Sequence, residues 1–145
     1  MARFSAGGIT TAGSTTLPVS SLYSTATMRA RVREIGVFNT TTTAVALRLV
    51  RLTTTGTRGA ALTAGATYAE DPTPPICIAY NTHTVAPTMT DLGFRVQLGA
   101  AIGSGFVWTF DDFVLTIGAV ANSGIGIVPD TGTGQALSIY WHWTE

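Results

Sequence analysis

The chain has 145 residues with eight basic side chains against eight acidic ones, and only 11% of it is charged, so it lacks the basic field that a nucleic-acid partner requires. A chain of one-domain length can bury roughly 68–70% of its unfolded surface, and a single cysteine, Cys77, excludes an internal disulfide framework. The apolar runs are short, none near the ~20 residues of a membrane-spanning helix, and Met1-Ala2-Arg3-Phe4 leads into no signal-peptide core, so a soluble product made in a cytoplasm is expected.

About one residue in six is Thr, whose branched polar side chain suits the wet face of a sheet. Apolar residues alternate with Thr, Gly or Arg at a period of two, and no dozen residues sustain a helical stripe, so the expected class is all-β. Residues 1–21 read as a flexible N-terminal arm, because Ser5 to Ser21 is small, Thr/Ser/Gly-rich and nearly uncharged, with Pro18 near its end. Residues 22–145 read as the sandwich domain.

Met28-Arg29-Ala30-Arg31-Val32-Arg33 alternates cleanly and puts three arginines on one strand face. The apolar phase then shifts to Ile35 and Val37, which one extra residue near Arg33 to Gly36 would explain as a β-bulge. Asn39 to Thr43 reads as a turn. Ala44 to Leu52 reads as the next strand, with Val45, Leu47 and Leu49 inward and Arg48 outward.

A second turn follows at Thr53 to Thr57, and the prolines of Asp71-Pro72-Thr73-Pro74-Pro75 require an exposed loop. Later strands are predicted at Ile76 to Tyr80, Leu92 to Leu98 (Leu92, Phe94, Val96 and Leu98 inward), Phe106 to Phe110, Phe113 to Ile117, Gly124 to Val128 and Gln135 to Trp143. Short strands split by Gly/Thr/Pro turns indicate a sandwich or barrel. A count of about eight suits a single jelly-roll-type β-sandwich of antiparallel strands. An immunoglobulin-like sandwich or a small decoration fold has a similar count.

Enzymatic motifs are weak. Asp130-Thr131-Gly132-Thr133 copies the Asp-Thr-Gly of aspartic proteases, in which two carboxylates share a proton, but too little chain follows it for a second half, and a Gly-rich turn is the expected role. His83 and His142 have no partners at metal-ligand spacing, so no metal site is predicted. Asp111-Asp112 reads as a solvated turn rather than a calcium loop. Gly103-Ser104-Gly105 precedes a β-like run rather than a phosphate-cradling helix. No catalytic residue and no cofactor is expected.

Two features suggest contact with other proteins. All eight basic residues are Arg, which fits desolvated interfaces better than Lys. Arg29, Arg31 and Arg33 either form a solvated edge or meet an acidic partner. In Tyr140-Trp141-His142-Trp143, alternation puts Trp141 and Trp143 on one face, so one aromatic pair is expected in the core and the other against a neighbouring subunit. The candidate contact residues are therefore Arg29, Arg31, Arg33, Trp141 and Trp143. A sugar-stacking platform of Tyr140 with Trp108 or Trp141 is the alternative use.

Stretches such as Arg33-Glu34-Ile35-Gly36-Val37-Phe38-Asn39-Thr40-Thr41, Ala100-Ala101-Ile102-Gly103-Ser104-Gly105 and Gly124 to Gln135 resemble short, Thr-rich proteins of bacteriophage structural-gene clusters, in pattern, from about Thr27 onward. The resemblance implies a virion component, a capsid decoration or cement protein or a head-fibre base on the capsid exterior. It implies the major capsid protein as partner, and weak contacts multiplied by a homo-oligomer. A trimer is the first expectation and a dimer the second. A carbohydrate- or receptor-binding module of a tail or fibre is the alternative. Neither a nucleic-acid nor a membrane partner is expected.

Overall fold

The computed structural model describes residues 1–71, 74–111 and 115–145. Among them there is no helix, and eleven strands follow one another. They are β1 (Arg3–Ile9), β2 (Ser20–Tyr23), β3 (Ala30–Asn39), β4 (Val45–Leu52), β5 (Ala64–Ala66), β6 (Ile78–Tyr80), β7 (Met89–Leu98), β8 (Gly105–Thr109), β9 (Leu115–Ile117), β10 (Gly124–Pro129) and β11 (Leu137–Thr144). Two antiparallel sheets form a sandwich. One is six-stranded, in the order β5-β1-β11-β3-β8 with β9 also on β3, and the other is five-stranded, β6-β2-β10-β4-β7.

All eight predicted strands have a counterpart, but the count of about eight is corrected to eleven by β1, β2 and β5. Of the predicted strand Phe113 to Ile117, only Leu115–Ile117 falls within the described residues, and Pro72, Thr73 and Asp112 lie outside them.

The flexible-arm expectation for residues 1–21 is also corrected. β1 is hydrogen-bonded on both sides, to β11 and to β5, and Phe4 is buried against Trp143 at 5.8 Å between ring centroids. The small residues that suggested a linker instead allow close strand packing: a Cβ on Gly7 would stand 2.7 Å from the Ile139 carbonyl oxygen. Val19, Ser20 and Ser21 are buried, with the Val19 N–H donating to the Ile127 carbonyl at 2.8 Å. The tip around Thr11 to Leu17 stays at or near the surface, as do Met1, Arg3, Gly7 and Ile9.

The predicted bulge is present. β11 pairs with β3 as His142 with Glu34 and then Trp143 with Val32, so Arg33 is the extra residue. Val32 and Ile35 both point into the core while Arg33 and Glu34 stay outside. A second irregularity sets Leu92, Gly93 and Phe94 opposite Leu49 of β4, with Gly93 at φ +84°. This breaks the predicted alternation of β7. Phe94, expected inward, is 39% exposed and meets Phe110 edge-on at 5.4 Å.

The main core lies between the sheets. Trp141, Trp143, Ile35, Val37, Leu47, Leu49, Ile125 and Ile127 are buried there, and the Trp141 indole N–H donates to Ser20 Oγ at 2.9 Å, whose hydroxyl donates in turn to the Tyr80 carbonyl at 2.8 Å. This relay ties the two sheets together and satisfies polar groups that would otherwise be costly inside. Arg51 also spans the sheets, donating to the Thr116 carbonyl of β9 at 3.3 Å.

A second, smaller core covers the outside of the five-stranded sheet. Tyr23, Val50, Leu52 and Val128 are buried there, with Tyr80 and Met89 packed against them. The chain's own connections form the cover. Arg58 places its guanidinium 4.2 Å from the Tyr80 ring centroid and 5.1 Å from that of Tyr23, the Tyr23 hydroxyl donates to the Thr54 carbonyl, and the His83 N–H donates to the Pro18 carbonyl.

Candidate functional site

On the outer face of the six-stranded sheet, among the described residues, Arg33, Glu34, Phe38, Tyr140 and His142 are only half-buried. Register places Ser5, His142 and Glu34 across neighbouring strands, and likewise Arg3, Thr144 and Arg31. Because the bulge turns both Arg33 and Glu34 outward, they sit side by side with His142 and Thr109 around an open hollow of about 420 Å³ that Arg3, Asp111 and Thr144 complete. Bulges commonly re-aim side chains in this way at functional positions.

The predicted arginine row divides in two. Arg33 donates to the Asp111 carbonyl at 3.3 Å and belongs to this hollow. Arg29 and Arg31 border a different hollow at the end of the sandwich, with Met1, Thr27, Met28, Ala119 and Glu145. Arg31 reaches the Met1 sulfur at 3.6 Å. Among the described residues none of these three guanidinium groups has a carboxylate within ion-pair distance. Met1 is 71% exposed, so this end combines apolar surface with two guanidinium groups, and Glu145 borders the same hollow without an ion pair to either of them among the described residues.

Trp141 and Trp143 are not contact residues. Both are fully buried on the inner face of β11, which corrects their placement against a partner. Alternation put them on one face, as expected, and that face is the core. Trp108 is likewise buried, so neither tryptophan of the predicted sugar platform can reach a ligand.

Tyr140 does face outward, and its neighbour is Phe38, with ring planes 21° apart and centroids 6.4 Å apart. The Tyr140 ring lies across Gly36 and the Phe38 ring across Gly105, so a Cβ on either glycine would collide with the ring above it. The Tyr140 hydroxyl donates to Glu34 Oε1. Burial first, and this bond second, push the phenol up to about 12. Sequence reasoning missed Phe38; the glycines Gly36 and Gly105 on the adjacent strands were the available signal, since an aromatic side chain can lie flat over a residue without a Cβ.

Asp130, of the protease-like motif, belongs to a square of two carboxylates and two guanidinium groups on the opposite face. Arg48 contacts Asp91 at 3.4 Å and Asp130 at 3.6 Å, and Arg95 contacts Asp91 at 2.5 Å and Asp130 at 3.2 Å. The Gly93 N–H, then Arg95, hold the Asp91 carboxyl below the usual carboxylate range. Each carboxylate here is neutralised by guanidinium, the reverse of a proton-sharing dyad.

His83 is buried beneath the covering loops with its Nε2 2.8 Å from Ser21 Oγ, and burial, then the Arg58 charge, lower it to about 4, so it is neutral at physiological pH. Among the described residues no three His, Cys, Asp or Glu side chains gather as a metal site. On the free edge of the sandwich, Phe94 of β7 and Phe106 of β8 are exposed, the latter 43%, beside Val107.

Comparison of the chain with family models, with curated proteins and with solved structures gives no match.

Proposed function

We propose that the chain is a non-enzymatic structural component of a bacteriophage virion, one that decorates and stabilises the outside of a capsid as a homo-oligomer. The single observation that carries the contact assignment is the end of the sandwich at Arg29 and Arg31. Two guanidinium groups without an ion-pair partner among the described residues lie there beside exposed Met1, on a chain of net charge zero. Arg and Met are enriched in protein interfaces, and Arg forks fit the acidic side chains of a lattice partner.

The strand order supports a jelly-roll reading. With the three-residue strands β5, β6 and β9 set aside, the sheets are β1-β11-β3-β8 and β2-β10-β4-β7. The first strand then neighbours the last, the second neighbours the penultimate, and the chain passes from sheet to sheet as two nested Greek keys do, an architecture that serves capsid proteins and lectins alike. The resemblance to phage structural-cluster proteins favours the capsid over the lectin.

Subunits associate through the β7–β8 edge, where Phe94 and Phe106, with aliphatic Val107 beside them, supply the aromatic anchors first sought at Trp141 and Trp143. A trimer is favoured and a dimer comes second. The test is to count copies in purified virions by quantitative mass spectrometry and electron microscopy. Hundreds of copies per particle, on the shell surface, are expected; absence from the particle, or a handful of copies at the tail, overturns the reading.

A further inference from the structure

Two sheets have four edges, and three of them are blunted in ways that keep an edge from pairing with another chain. β5 and β6 have three residues each, and β6 is flanked by the chain itself, with the Leu62 N–H donating to the Ala79 carbonyl and Ala61 bridging Tyr80. β7 is long, but it bulges at Gly93 and carries Asp91 and Arg95. The fourth edge, β8, reads Gly105-Phe106-Val107-Trp108-Thr109, with no charge, no proline and no register shift against β3. A flat, uncharged, apolar edge invites strand pairing.

The hydrogen-bond phase of β8 shows which backbone groups this edge offers. The Phe110 N–H donates to the Arg33 carbonyl and the Asn39 N–H to the Ser104 carbonyl, so the even-numbered residues from Ser104 to Phe110 bond to β3. In an antiparallel ladder the alternate residues, Gly105, Val107 and Thr109, then turn their N–H and C=O groups away from β3, and among the described residues no strand pairs on that side. All three are exposed. Phe106 stands opposite Val37, which turns its ring toward the core, yet it is 43% exposed. Its open side is the one a further strand would occupy.

The segment fits itself. Two copies of β8 set antiparallel across a two-fold axis at Val107 place Val107 opposite Val107, Gly105 opposite Thr109, and Phe106 opposite Trp108 of the partner subunit. Each half-exposed Phe106 ring, already edge-on to Trp108 of its own strand at 5.4 Å, gains a second aromatic neighbour across the seam. Charge agrees with this direction. Asp111, just past the end of β8, falls at opposite ends of the pair, so no carboxylate meets its own copy.

We propose that β8 pairs antiparallel with β8 of a second copy of the chain, joining the two six-stranded sheets into one continuous sheet. The inference rests on the assignment of subunit association to the β7–β8 edge and gives that contact its geometry. An edge that pairs with itself closes at two copies, so this seam selects the dimer, placed second above, over the trimer.

The test is sedimentation equilibrium of the full chain at micromolar concentration. Wild type is expected at twice the 15.1 kDa chain mass. Val107→Pro removes an N–H that β3 does not use, at an edge position that tolerates proline, and is expected to sediment as a monomer with the wild-type far-ultraviolet circular dichroism. Val107→Lys, which sets like charges directly opposite one another, is expected to be monomeric too and carries the test if the proline variant does not fold. Val85→Lys, at a valine 55% exposed over the other sheet, is expected to stay dimeric. Oxidation with diamide reads the register. Val107→Cys is expected to cross-link, since directly opposed residues lie within disulfide reach, and Thr109→Cys, opposite Gly105, is not; the native Cys77 is buried. The proposal is overturned if wild type is monomeric, if both Val107 variants remain associated, or if Thr109→Cys cross-links as readily as Val107→Cys. A wild-type trimer also overturns it while leaving subunit association through this edge standing, and none of these readouts depends on finding the chain in virions.

Discussion

The two outer faces of the sandwich are built from the same kind of strand and treated in opposite ways. Over the five-stranded sheet the connecting loops fold back, bury Tyr23, Val50, Leu52 and Val128 in a second core and lay Arg58 across two tyrosines. Over the six-stranded sheet no second buried cluster forms among the described residues, and Tyr140, Phe38, His142 and Arg33 are half-buried. The comparison teaches that exposure here is selective: this chain has loops enough to close one face, and the other is left open to its surroundings.

The largest expected contrast is between the two outward tyrosines. Tyr23→Ala empties the second core and is expected to cost about 3–5 kcal/mol, as large-to-small core changes do. Tyr140→Ala on the open face is expected to cost only about 1 kcal/mol, since a half-buried ring returns a fraction of that burial. Urea denaturation of both variants measures the difference. Equal losses would erase the distinction between the faces.

The covered face also carries the pH dependence. His83 titrates near 4 in the folded protein and near 6.5 when unfolded, so between those values the unfolded chain binds the extra proton and stability falls as pH drops. The loss is expected to approach about 3 kcal/mol by pH 4 and to vanish above pH ~7. His83→Gln should flatten the profile across this window, and an unchanged slope would place the proton elsewhere.

Smaller effects probe the open face and the ion square. Gly36→Ala drives a methyl into the Tyr140 ring and is expected to cost about 1 kcal/mol, the lower range for overpacking, with a change in the near-ultraviolet circular dichroism as the ring leaves its seat. Asp130→Asn breaks one corner of the arginine–aspartate square. Because these side chains are partly solvated, only a slight loss is expected, one that high salt removes.

Much of this architecture was legible in the chain because a buried strand face imposes a period of two. Val45, Leu47 and Leu49 point inward as predicted, and the phase slip between Val32 and Ile35 announced the bulge at Arg33. β1 was missed because most of its residues are small, and β2, Ser20–Tyr23, because four residues buried on both faces carry no alternation. Ser, Ala and Gly carry no hydrophobic alternation, although Phe4 and the close approach at Gly7 show that smallness is what lets β1 fit between its neighbours. The candidate site was harder still. Trp141 and Trp143 look identical to contact residues in a strand whose two faces are both aromatic, and only the fold decides that their face is the inner one. Arg33 was singled out correctly as an outward charge, but its grouping with Arg3, His142 and Thr144 depends on strands far apart in sequence.

The account rests most directly on the sandwich end at Arg29 and Arg31. Binding of the Arg29→Ser/Arg31→Ser variant to purified, undecorated shells, measured by sedimentation against wild type, tests it. The account predicts a folded variant of near-native melting temperature that stays in the supernatant, and a variant that pellets with shells as wild type does would contradict it.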